Sequence, residues 1–138
     1  MKRQLAVILI TILTVTINGC WPVRVGMKSI GESIFGEPEK VKNKIKDPIK
    51  ENVRLSALWV GHSTVLLQIE DKVILVDPVF EDVISGVVLR KVEAGLDMKS
   101  IPKLDIVAVS HAHMDHMSLG SLKDLDERIP KATLVIPF

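Results

Sequence analysis

Three of the chain's four histidines, His111, His113 and His116, fall in the stretch "VSHAHMDHMSLGSL", and Asp115 stands among them. In an extended loop leaving a strand, side chains two residues apart point the same way, so His111 and His113 can aim at one metal ion. Asp115 and His116 follow where the chain must turn toward a helix, and can aim at a second point close by. Imidazole nitrogen and carboxylate oxygen are the ligands of catalytic zinc, whose sites keep a position for water. Two such ions roughly 3.5–4 Å apart can share a hydroxide and clamp both nucleophile and substrate oxygen. The competing reading, a polar loop that is merely His-rich, fits poorly with a chain that has so few histidines.

The flanking segments must hold this loop. The run "IVAV" at 106–109 lacks polar alternation, which suits a strand covered on both faces, and it ends at the histidines. Ser118 reads as the N-cap of a helix to about Arg128, with Leu119, Leu122 and Leu125 on one face. Upstream, "QIEDKVILVDP" reads as a hairpin of strands 65–69 and 73–76, turning at Glu70-Asp71-Lys72. Asp77-Pro78 ends the second strand, because Pro donates no ladder hydrogen bond and restricts the residue before it. "LSALWV" is a strand with Trp59 expected in the core. Residues 80–103 read as a loop with at most one short helix, and 132–136 as a last strand.

The start of the chain has a different character. "MKRQLAVILITILTVTINGC" carries Lys2 and Arg3, then a thirteen-residue uncharged apolar run at 5–17, then Asn18, Gly19 and Cys20. Such a run is short for a bilayer span and suits an export signal. "INGC" resembles a bacterial lipobox, in which Cys20 would become the lipidated residue; the competing reading is an anchor helix with an incidental Cys. The expected layout is a signal peptide at 1–19, a basic tether at 20–54 and a folded domain at 55–138. A single Cys excludes an intrachain disulfide. A net charge of +1 argues against a general nucleic-acid binder.

"HAHMDH" matches the H-x-H-x-D-H signature of the metallo-β-lactamase superfamily. Together with "LWVGHSTVLLQIEDKVILVDPVF" and "PKLDIVAVSHAHMDHMSLGSLKDL", it resembles the branch that includes N-acylphosphatidylethanolamine-hydrolysing phospholipase D. The likeness runs from about Leu55 to Phe138. It implies an α/β fold, namely the N-terminal half of an αββα sandwich. It also implies His111 and His113 on one zinc ion, Asp115 and His116 on a second, and Asp115 as a catalytic proton carrier. Asp77 would orient ligands, against the plainer reading of a strand-ending turn. His62 in "GHST" either lines the site floor or is satisfied by backbone at a bend. No base is recognisable beside Ser63 or Thr64, so neither is read as a nucleophile.

The family's remaining ligands lie beyond the position matching Phe138, and no His follows His116. The expectation is therefore a half-site, completed by a second chain or by a missing C-terminal half. The implied function is hydrolysis of an ester, phosphodiester or amide by a metal-bound hydroxide. The substrate would be a small or lipid-derived molecule, acted on by an exported lipoprotein anchored in the bacterial envelope through Cys20. The competing reading is an inactive truncated lipoprotein or a weak metal-binding half-domain. An iron site, as in oxygen-reducing relatives, is less favoured because those relatives tend to carry an acid where His113 stands.

Overall fold

The computed structural model describes residues 21–137; the expected signal segment and Cys20 lie outside them. Helix α1 (Trp21–Phe35) precedes the domain. Strands β1 (Leu55–Gly61), β2 (Thr64–Ile69) and β3 (Lys72–Val76) form an antiparallel meander. A small hairpin, β4 (Val83–Ile84) and β5 (Val88–Leu89), and a 3₁₀ turn (Met98–Ser100) follow. Strand β6 (Ile106–Ala108), helix α2 (Leu119–Arg128) and strand β7 (Thr133–Val135) complete the order. The main sheet runs β1-β2-β3-β6-β7, with β3, β6 and β7 mutually parallel. This is a mixed α/β arrangement, consistent with half of a metallo-β-lactamase fold.

Strand periodicity sorts the side chains into two faces. One face presents Leu66, Val73, Leu75 and Val107, all buried. Leu125 of α2 and the loop residues Leu96, Ile101 and Leu104 close over it to make the core. Helix α2 is capped as its sequence implies, Ser118 Oγ accepting from Ser121 N at 3.1 Å. Its apolar contact runs through Leu122, Leu125 and Ile129. Leu119, expected on that face, is 72% exposed in the first turn.

The opposite face is apolar as well. It carries Leu55, Trp59, Ile69 and Val135, all exposed, beside the half-buried Val65, Leu67 and Ile74. Trp59, expected in the core, is 71% exposed because Ser56, Leu58 and Val60 take the inward positions of β1. An apolar sheet face of this extent is built to be covered.

The expected basic tether has structure of its own where it is described. Its first part is α1. Its remainder, 36–54, lies along the domain, with parallel bridges at Glu39–Val92 and Ile45–Leu96 and with Pro38 and Pro48 buried. The side chain of Gln68, buried in β2, stands in for a strand neighbour. It accepts from Lys50 N at 2.9 Å and donates to Lys50 O at 2.8 Å. Glu93 accepts from Val41 N at 2.9 Å and pairs with Lys44 at 3.1 Å, while Lys44 also reaches Asp97 at 2.7 Å. Lys44 thus pairs with two acids of the domain, and Lys40 reaches one of them at 3.6 Å. The run 80–103, expected as a loop, also contains the β4–β5 hairpin, made possible by left-handed Ser85 and Gly86 (φ 57° and 69°).

Two expectations follow. Thr64 is fully buried and its hydroxyl donates to Asp77 O at 2.8 Å while accepting from Val79 N at 3.0 Å. Thr64→Val keeps the shape and orphans both groups, so urea unfolding should show a loss of ~1–3 kcal/mol at unchanged m-value, with Thr64→Ser closer to the parent. Hydrogen bonds from Lys44 and then Val41 N–H hold the Glu93 carboxyl below its ordinary 4.5. A lowered folded-state value stabilises above pH 4.5, and that stability is lost as pH falls through the lowered value. Glu93→Gln should therefore lower the melting temperature by a few degrees at pH 7, and the difference from the parent should shrink in acid below pH 4.5.

Candidate metal centre

Three chain segments meet at the same edge of the sheet. The β1–β2 turn brings His62 and Ser63, the end of β3 brings Asp77, and the loop after β6 brings residues 110–116. Ligands of open α/β sheets bind outside such carboxyl ends, where loops rather than ladders set the side-chain directions.

Asp77 anchors the arrangement. It is 5% exposed and left-handed (φ 47°), a conformation that costs a non-glycine residue roughly 1–2 kcal/mol and that Asp tolerates better than most. Its backbone is fixed on both sides, N–H to Ala108 O at 2.8 Å and C=O from Thr64 Oγ1 at 2.8 Å. Its carboxylate accepts from Ser110 N and Ser110 Oγ, both at 2.7 Å, and meets His116 Nδ1 at 2.8 Å. Burial pushes this carboxyl up, but the His116 bond and the two Ser110 donors outweigh it, so the group lies below its ordinary value and is ionised at neutral pH.

An ionised Asp77 accepts only, which fixes the tautomers around it. Nδ1 of His116 carries the proton, leaving the Nε2 lone pair directed outward. Ser110 spends its own hydrogen on Asp77, so its oxygen accepts from His111 Nδ1 at 2.9 Å. His111 therefore also presents a bare Nε2. Through one carboxylate, two imidazoles are set in the form a metal ion takes.

The donors meet in pairs. His111 Nε2 lies 3.0 Å from His113 Nδ1. Two nitrogens on one tetrahedral zinc, each ~2.0–2.1 Å from it, are separated by about 3.3 Å, so this pair has nearly the required bite. With Nε2 of His111 bare, it accepts a hydrogen bond from His113 Nδ1–H, and a metal ion would take the place of that proton. Asp115 Oδ2 lies 3.8 Å from His116 Nε2 and 3.6 Å from His62 Nε2. Burial pushes the Asp115 carboxyl up, while its own backbone N–H and the nearby His116, His62 and His113 outweigh this and hold it low. The rings of His111 and His116 lie 4.0 Å apart. Among the described residues no group of three or more His, Cys, Asp or Glu side chains is arranged to hold a metal ion. The donor chemistry fits zinc, but the described donors converge as pairs rather than as a closed ligand set.

Every candidate of the sequence reading except Cys20, which is outside the described residues, therefore gathers at this edge: His62, Asp77, His111, His113, Asp115 and His116. His62 is also left-handed (φ 54°), and its carbonyl accepts from Trp59 Nε1 at 2.9 Å. Two positioning roles were missed. Ser110 relays Asp77 to His111, and Ser63 Oγ donates to Asp115 O at 2.8 Å, pinning the loop that carries Asp115. A serine immediately before the first histidine was the available signal for Ser110; nothing local marks Ser63.

Comparison with known proteins gives the family. The profile of a family described as "Beta-lactamase superfamily domain" matches residues 57–136. N-acyl-phosphatidylethanolamine-hydrolyzing phospholipase D 1 of Caenorhabditis elegans is 30% identical over 102 residues, covering 71% of this chain and 29% of that protein. An uncharacterized protein of Mycobacterium tuberculosis is 34% identical over 89 residues, covering 62% of this chain and 24% of that protein. The chain thus spans roughly a quarter of the length of these relatives. Among solved structures, a mutant of the CmlA beta-hydroxylase aligns with a TM-score of 0.44 at 22% identity, over 67% of this chain and 17% of that one. A putative metal-dependent hydrolase of Parabacteroides distasonis aligns at 0.37 and 20%, over 59% and 37%. Neither structural alignment is close enough to carry an argument. The match of the family profile to more than half of the chain does, and the chain belongs to the β-lactamase superfamily.

Proposed function

We propose that this chain supplies the first half of the metal centre of a zinc-dependent hydrolase acting on an ester, phosphodiester or amide. The observation that carries the reading is the Asp77 carboxylate, which sets His116 directly and His111 through Ser110 in the tautomer that leaves Nε2 free. His111 and His113 would hold one ion, and Asp115 and His116 a second. Zinc, when bound, supplies Lewis acidity toward a substrate oxygen and activates water at neutral pH. Asp115, beside two imidazoles and held ionised, is placed to take a proton from the attacking water and return it to a leaving group. Ser63 holds the Asp115 backbone in place for that task.

The likeness to the nematode phospholipase favours a phosphodiester or lipid-derived substrate. The layout proposed for the whole protein is an export signal at 1–19, lipidation at Cys20, a connecting segment at 20–54 and a hydrolase domain from 55. Membrane anchorage in a bacterial envelope follows from that layout. Among the described residues no helix is long and apolar enough to cross a membrane. The remaining ligands would come from a second chain or from a C-terminal half that also covers the open sheet face.

Equilibrium dialysis against zinc tests the ligand assignment. The 138-residue chain should take up zinc weakly, and His111→Ala with His113→Ala should abolish uptake at the first position. Asp77→Asn should weaken binding ~10–100-fold, the cost of losing the group that orients two ligands. With no further ligands supplied, phosphodiester turnover should be undetectable. Robust turnover that survives His113→Ala would sink the reading.

A further inference from the structure

The strap of residues 77–81, which leaves the end of β3, is fastened along its length. Asp77 is held through its N–H by Ala108 and through its C=O by Thr64. Val79 N donates to Thr64 Oγ1 at 3.0 Å, and Val79 O accepts from Arg90 Nη1 at 2.9 Å. Phe80 N donates to Ser121 Oγ at 2.9 Å. At the far end of the strap the Glu81 carboxylate accepts from Ser118 Oγ at 2.6 Å. The strap therefore carries two carboxylates, and the metal centre accounts for only the first.

Glu81 is seated on the N-terminal end of α2. Such an end presents backbone N–H groups and a partial positive charge, which a nearby acid stabilises. The helix has no acidic residue in its own first turn, so Glu81 supplies the charge from another part of the chain. Ser118 joins the two, its hydroxyl donating to Glu81 while accepting from Ser121 N at 3.1 Å. Ser118 and Ser121 are only 5% and 1% exposed, so their partners must come from the protein. Gly120 leaves the carboxylate its place, since a Cβ there would overlap Glu81 Oε1.

We infer that Glu81 is a positioning residue for His116. The two carboxylates of one strap grip the chain on either side of Met117. Asp77 Oδ2 meets His116 Nδ1 at 2.8 Å, and Glu81 holds the Ser118 side chain. The turn before them is closed by His116 N and Met117 N, which donate to His113 O at 2.9 and 2.8 Å. Gripped by Asp77 alone, the His116 ring would follow every fraying motion of the helix start. With that start fixed by Glu81, the ring is held from both directions, as a preorganised ligand requires. The consequence for zinc rests on the hydrolase reading, whereas the state of the ring does not.

Long-range proton–nitrogen NMR of the isotope-labelled, metal-free full chain reads that ring, because protonated and bare imidazole nitrogens differ in shift. The parent should show His116 protonated at Nδ1 and bare at Nε2. Glu81→Ala should mix the two tautomers and weaken zinc uptake about tenfold, the low end for groups that orient ligands. Glu81→Gln keeps an acceptor for Ser118 and should restore most of both. Gly120→Ala should push the Glu81 side chain aside while favouring the helix. It should reproduce the Glu81→Ala spectrum without lowering the melting temperature, and it decides the matter if Glu81→Ala does not fold. Glu93→Gln, which loosens the domain elsewhere, should leave the His116 spectrum unchanged. A parental spectrum in Glu81→Ala or Gly120→Ala, no rescue by Glu81→Gln, or an equal disturbance by Glu93→Gln would each overturn the inference. Absence of zinc uptake in the parent would count against the hydrolase reading alone.

Discussion

Asp77 occupies the point where β3 ends, and the site's order depends on its carboxylate remaining buried and charged. Desolvation alone would favour the neutral acid, which would donate a hydrogen bond and release His116 and Ser110 from their assigned roles. Three donors prevent this: Ser110 N, Ser110 Oγ and His116 Nδ1. The left-handed backbone at Asp77 is what aims the carboxylate at them. Its strain is met by Thr64 and Ala108, whose bonds hold the peptide groups on either side. A fully buried hydroxyl on β2 thus acts on imidazoles at the far side of the loop without touching them. Positive φ at both His62 and Asp77 fits the tendency of backbone strain to gather where chemistry is done.

The sheet has the opposite character, with two apolar faces and one cover. Helix α2 and the loops around Leu96 and Leu104 close one side, while Leu55, Trp59, Ile69 and Val135 face outward on the other. Strands β6 and β7 are parallel and carry apolar residues in both directions, the pattern of strands meant to be buried on both faces. The metal donors show the same incompleteness at the level of chemistry, converging as two pairs. Sheet face and ligand set lie on one structural unit, so a single partner element covering the face would also bring side chains to the carboxyl edge. Under the proposed reading, metal affinity and folding would then be coupled.

Legibility in the sequence followed the range of the interactions. The hairpin of β2 and β3, the Ser118 cap and the end of α2 at Arg128 depend on neighbours within a few residues, and local pattern was enough to read them. The histidine loop was legible because its donors are close in the chain. Asp77 and His62 were readable as candidates only through resemblance, since they lie tens of residues from the loop they serve. Trp59 and Leu119 were misplaced for one reason: an apolar side chain was assumed to point inward, whereas alternation and helix phase send both outward. The packing of residues 36–54 along the domain left no mark in the local pattern. The acids that pair with Lys44, at Glu93 and Asp97, are invisible to a local window.

The same long-range logic explains why Gln68 and Arg90, two polar residues in apolar surroundings, behave differently. Gln68 is amide-sized and finds a backbone amide and carbonyl at Lys50, so both ends of its side chain are paired. It serves as a fastener, and nothing further is needed to account for it. Arg90 has more donors than its surroundings accept: Val79 O takes one, Nε takes none, and a full charge remains without a carboxylate. Packing alone does not favour such a residue, since an apolar side chain of similar length would fill the space without the desolvation cost. What holds it is the bond to Val79 O and the room that glycine leaves at position 61, where a Cβ would stand 3.0 Å from Arg90 Nη2.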